Sequence, residues 1–117
     1  MKKILFALAL VLPVVAVAAD VKDPFADVNM KMHEAMMVEP TGNIDVDFVR
    51  GMIPHHQGAI DMAEIELKQG KDPEIRKLAQ GIIAAQKKEI AQMEKWLEKN
   101  APDKAHAPDA VKHHHAM

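Results

Sequence analysis

Gly51-Met52-Ile53-Pro54-His55-His56-Gln57-Gly58-Ala59-Ile60-Asp61-Met62-Ala63-Glu64-Ile65-Glu66 is the stretch whose reading decides the fold. At about 100° per residue, Met52, His55, His56, Ala59, Met62 and Ala63 share one arc of a helix, and Arg50, Gln57, Asp61 and Lys68 lie on the other side. The spacing predicts a helix whose inner face carries sulfur and imidazole. Pro54 lacks an N–H and crowds the preceding turn, so a kink or a restart is expected there. Burying two adjacent imidazoles without partners is costly. The pair therefore argues for a site rather than for packing alone.

Working outward, Asp45 and Asp47 suit the start of this helix, where negative charge meets the positive end of the helix dipole, and Gly70 suits its stop. Lys71-Asp72-Pro73-Glu74 then starts a third helix that is expected to reach about Lys99. Its inner face reads Ile75, Leu78, Ala79, Ile82, Gln86, Ile90, Met93 and Leu97; Lys77, Gln80, Lys87, Lys88, Lys95 and Glu98 face water. A first helix is expected from Asp23-Pro24 to about Val38, with Glu39-Pro40-Thr41-Gly42-Asn43 as the loop after it. The fold class is all-α: a small antiparallel three-helix bundle with a kinked second helix, since short loops send neighbouring helices in opposite directions.

Residues 1–19 read as a secretory leader, with Lys2 and Lys3 before an apolar run and Ala16-Val17-Ala18 as a cleavage site. Pro13 breaks that run, and it is shorter than the ~20 residues of a spanning helix. The expected address is the periplasm, with no membrane anchor after cleavage. Residues 20–100 form the helical domain, and residues 101–117, aperiodic and carrying His106 and His113-His114-His115, read as a flexible tail. The 15 Lys and Arg, two of them in the leader, face 17 Asp and Glu, a balance that gives no reason to expect nucleic acid as a partner. With no cysteine there is no disulfide, thiolate site or covalent haem attachment. No His-Glu-x-x-His, glycine-rich phosphate loop, serine or cysteine nucleophile occurs, so no enzyme is expected.

Loop positions give a register. Folding the second helix onto the third about Gly70–Asp72 pairs His56 with roughly Gln86 and Met52 with roughly Ile90, and the first helix brings His33 and Met36 back to the level of Asp47 to Arg50. His33, Met36, Met52, His55, His56 and Met93 then share one layer. Thioether and neutral imidazole suit Cu(I), whereas carboxylates suit magnesium, calcium and manganese. Met52-x-x-His55 and His33-x-x-Met36 put both members of each pair on one helical face. Met30, Met37 and Met62 read as adaptable core fillers instead.

The run Asp47-Phe48-Val49-x-Gly51-Met52-Ile53-Pro54-His55-His56-Gln57-x-Ala59-Ile60-x-Met62-Ala63 continues with Gly70-x-Asp72-Pro73 and Gln86-x-x-Glu89-Ile90-x-x-Met93-x-x-Trp96-Leu97. Together with Met32-His33-x-x-Met36, it resembles the CopM-like family, long catalogued as a domain of unknown function. The resemblance covers roughly residues 27–97. It implies a secreted, ferritin-like helical bundle that binds copper, with silver as a mimic, in the periplasm through Met and His, and so a role in copper tolerance. This chain has three helices where longer members have four, which implies fewer bound ions or a bundle completed by dimerisation.

The expected function is a periplasmic copper buffer or chaperone without turnover. It takes Cu(I), with Ag(I) as mimic and Cu(II) as a further mode, through Met32, His33, Met36, Met52, His55, His56 and Met93. Its expected partners are the metal ion, a second copy of itself or a copper-handling protein of the periplasm. Two other readings stand beside it. A non-covalent haem bundle has only Phe25, Phe48 and Trp96 outside the leader to pack on a porphyrin, and a Met-rich face could instead dock a partner helix.

Overall fold

The computed structural model describes residues 20–105; the expected leader and the tail histidines lie outside them. Three α-helices follow one another, α1 (Ala26–Met36), α2 (Ile44–Gln69) and α3 (Pro73–Asn100), then a single 3-10 turn at Pro102–Lys104. Among the described residues there is no strand, and they form an all-helical bundle. None of these helices is long and apolar enough to cross a membrane.

The ends of α2 and α3 are fixed by side chains in their flanking loops. Asn43 Oδ1 accepts the amide of Val46 at 3.2 Å and so satisfies one of the free N–H groups that begin α2. Gly42, at φ +86, supplies the left-handed turn just before it. Asp72 does the same for α3, accepting from Glu74 N at 2.9 Å and Ile75 N at 3.0 Å, with Pro73 at the first position, where its missing N–H costs nothing. Arg76 reaches back from the first turn of α3 to the carbonyls of Leu67, at 2.7 Å, and Gly70, at 3.0 Å. One guanidinium thereby satisfies the open end of α2 and locks the turn between the two helices.

Helix α1 is less well founded. Asp23 Oδ1 accepts from Phe25 N at 2.8 Å, but this shapes a turn at Pro24–Phe25, and the helix proper begins only at Ala26. It also stops at Met36, two residues before the expected end.

Contacts between α2 and α3 pair low numbers with high ones. Val46 packs with Leu97 and Ala101 at one end; Ala59, Met62 and Ala63 line a groove with Ile75, Leu78 and Ala79 at the other. The buried apolar residues are Val46, Ile60, Ala63, Ala79, Leu97 and Ala101, a thin core dominated by Leu97, the largest side chain fully removed from water. Helix α1 crosses the opposite side of α2. Met32 lies on Gly58, where an added Cβ would come within 2.3 Å of the Met32 sulfur. Gly58 is two residues from Ile60, hence about 200° round the helix from the core-facing side.

Several sequence expectations are corrected. α2 runs unbroken through Pro54, which excludes a restart, the second of the two outcomes expected there. The chain also stays folded past Asn100: Ala101 is buried and Ala105 packs on the same cluster, so residues 101–105 pack with the helices. Met30 and Met37, expected in the core, are 58% and 71% exposed, and Met62 is exposed as well. Ile75 and Leu78 are half in water. Met62, Ile75 and Leu78 line an open groove beside the α2–α3 contact, whereas Met30 and Met37 lie on α1 and at its C-terminal cap, and α1 has no buried residue.

Candidate metal centre

His56 is the one buried polar side chain named in the described core, and it sits where α2 meets α3. Its Nε2 pairs with Glu89 Oε2 across the two helices. The carboxylate is half exposed while the imidazole is enclosed, so Glu89 reaches inward from the rim. Among the described residues His56 Nδ1 is buried and has no hydrogen-bond partner. An unpaired buried polar atom costs of order 1–3 kcal/mol, and native interiors rarely tolerate one.

The His56–Glu89 contact fixes a register that the loops gave only approximately. The expected partner level was Gln86; the observed one is three residues on, about 4.5 Å along α3 at 1.5 Å per residue. The shift changes which residues stand together. Met52 lies one turn before His56, and Met93 one turn after Glu89, so the two half-buried methionines come level with each other, one turn from the pair. Under the expected register Met52 would have faced Ile90.

His55 is adjacent in sequence but exposed, its ring centroid 6.2 Å from that of His56 in an edge arrangement. A 100° step carries it off the contact between the helices. Met32 is engaged on Gly58, on the far side of α2 from its core-facing residues. His33 and Met36 are both exposed. The single layer expected from three helices thus resolves into two groups. Met52, His56 and Met93 belong to the α2–α3 contact, and Met32, His33 and Met36 to the α1 side of α2, with His55 on the surface.

Among the described residues no three His, Asp or Glu side chains gather into a metal-sized cluster. Any ion at the α2–α3 contact would therefore draw on methionine sulfur beside His56. Glu89 is the residue that the sequence reading missed as a participant. Its signal was present, since Glu89 and Met93 are spaced one turn apart on α3, but the loop-based register put Gln86 opposite His56 instead.

A stretch of 54 residues is 43% identical to a protein of Acanthamoeba polyphaga mimivirus described as "Uncharacterized protein L153", taking in 46% of this chain and 36% of that protein. The chain thus matches about a third of the length of that viral relative. The family model described as "Domain of unknown function (DUF305)" matches residues 45–117, which take in all of α3, the His56–Glu89 pair and α2 from its second residue, but not α1. On that match the chain belongs to the DUF305 family.

Proposed function

We propose that the protein is a copper-binding buffer or chaperone of the periplasm, folded as a small antiparallel, ferritin-like bundle and taking Cu(I) at the α2–α3 contact without catalytic turnover. The observation that carries the reading is the buried, unpartnered Nδ1 of His56, whose other nitrogen is held by a carboxylate. That is the arrangement in which proteins commonly present histidine to a metal, with an outer carboxylate fixing the ring. Met52 and Met93, level with each other one turn away, supply the soft sulfur that Cu(I) favours over harder cations. The absence of cysteine makes methionine the only sulfur ligand the chain can offer.

In this role His56 Nδ1 and the two thioethers replace the solvent shell of the ion. Isothermal titration of the protein with Ag(I), and with Cu(I) under reducing conditions, should give saturable binding; a flat titration with both ions would end the reading.

A second reading rests on the exposed Met62 and Leu78, which line one open groove. Such a surface suits docking of an apolar helix, since methionine adapts to many partner shapes. In that case Ag(I) would leave the melting temperature unchanged. Under the copper reading a saturating ion raises it, because an ion bound only by the folded state stabilises that state.

A further inference from the structure

Glu89 is 33 residues from His56 in the chain and on another helix, yet its carboxylate meets the one imidazole nitrogen that the bundle leaves open to it. Two tautomers of the neutral His56 ring can be weighed against this geometry. With the proton on Nδ1, the Nε2 lone pair would face carboxylate lone pairs at contact distance, which is repulsive, and Nδ1–H would be a buried donor without an acceptor. With the proton on Nε2, that N–H donates to Glu89 and only a lone pair is left unmet at Nδ1. The second tautomer carries the smaller penalty.

We infer that Glu89 is a positioning residue that holds His56 as the Nε2–H tautomer and turns the Nδ1 lone pair inward, so that a soft monovalent cation binds through Nδ1. This rests on the copper reading for the identity of the ion, but the tautomer is a property of the protein alone. It also gives the site its selectivity. Because the Glu89 oxygen is spent on His56, the ion meets nitrogen and sulfur rather than a carboxylate, and hard divalent cations gain little there.

Nitrogen-15 NMR of the metal-free protein at about pH 8, above the ordinary imidazole range, reads the tautomer directly. His56 should show a pyrrole-type Nε2 and a pyridine-type Nδ1. Glu89→Ala should mix the tautomers and weaken Ag(I) binding about tenfold. Glu89→Gln, whose amide oxygen still accepts the Nε2 proton, should keep the tautomer and stay within about threefold of the parent for Ag(I). A pyrrole-type Nδ1 in the parent, or an unchanged tautomer in a folded Glu89→Ala, overturns the inference even if Ag(I) binds. Equal tenfold losses in Glu89→Gln and Glu89→Ala also overturn it, since the carboxylate would then be a direct ligand. If neither Ag(I) nor Cu(I) binds a parent that has the stated tautomer, the copper reading falls and the assignment of Glu89 to His56 stands.

Discussion

The contact between α2 and α3 and the contact between α1 and α2 are built on different scales. The first joins helices of 26 and 28 residues, each with a side-chain N-cap, and contains nearly all of the buried apolar surface. The second attaches an 11-residue helix with no side-chain cap and no buried residue. Isolated helices below about 12–15 residues are marginal in water, so α1 depends on what it touches. It touches Gly58 through Met32, and the loop after it is tied down where Arg50 Nη1 donates to the Glu39 carbonyl at 3.1 Å. On the copper reading, ligands on α2 and α3 would be held before an ion arrives. Ligands on α1 would have to be ordered by the ion, at a cost in chain entropy.

The largest effect should follow from emptying the stronger contact. Leu97 is 2% exposed and anchors the cluster with Val46 and Ala101. Leu97→Ala should cost about 2–5 kcal/mol by urea unfolding, the range for a buried leucine truncated without full collapse of the cavity. In a domain with so thin a core, that is a large share of total stability. A loss below about 1 kcal/mol would mean that α2 and α3 are not held where Leu97 sits.

Next comes the weaker contact. Gly58→Ala places a methyl against the Met32 side chain, with the Cγ at 2.8 Å and the Cβ at 3.0 Å from it as well as the sulfur, so rotation of the sulfur alone does not clear it. Relief requires α1 to move outward. The expected cost is about 1–3 kcal/mol, typical of overpacking, partly offset by the better helix propensity of alanine. Hydrogen exchange should speed up in α1 and stay unchanged in the middle of α3. Uniform loss of protection across all three helices would show that α1 is an integral part of the core rather than an appendage.

On the copper reading, metal binding should separate the same two regions. His56→Ala should weaken Ag(I) binding at least tenfold, about 1.4 kcal/mol, whereas His33→Ala should change it less than threefold. Met93→Ile keeps the bulk and removes the sulfur; it should resemble His56→Ala in direction with a smaller loss. A result in which His33→Ala matters most would move the site to the α1 side of α2.

Much of this arrangement was legible in the chain. Asp72-Pro73 states where α3 begins because capping chemistry is local, and Asp45 with Asp47 put the start of α2 within a residue or so, although its cap, Asn43, was read only as loop. The His56 environment was only half legible. Its burial followed from the helical period, but its partner depends on a register that short loops leave uncertain by about a turn, and that turn decides between Gln86 and Glu89. The position of α1 was least legible. Gly58 reads as a weak spot in a helix until Met32 is seen lying on it, and a methionine in an amphipathic pattern does not say whether anything covers it. Met30 and Met37 fit the pattern of a core and are mostly in water.

The smallest effect should come from the loop that tethers α1. Asp47 Oδ1 accepts the Thr41 hydroxyl at 2.7 Å and the Thr41 amide at 2.9 Å, and these bonds, the hydroxyl first, hold the carboxyl below the usual aspartate value. A lowered carboxylate value means that the folded state favours the ionised form. Its contribution is complete above the unfolded value of about 3.9 and is lost as pH falls through the lower folded value. Because this carboxylate is open to water, the loss should be local, loosening the Thr41 turn without unfolding α2 and α3. The Thr41 amide resonance should therefore titrate with a midpoint below that of an ordinary aspartate, while the resonances of Ile60 and Ala79 in the core stay fixed until the whole domain unfolds. In Asp47→Asn the Thr41 titration should disappear, with the melting temperature near neutral pH only slightly lower. An amide that titrates at the ordinary aspartate midpoint, or persists unchanged in Asp47→Asn, would mean that Thr41 is not held by Asp47 and that α1 is tethered through Arg50 and Gly58 alone.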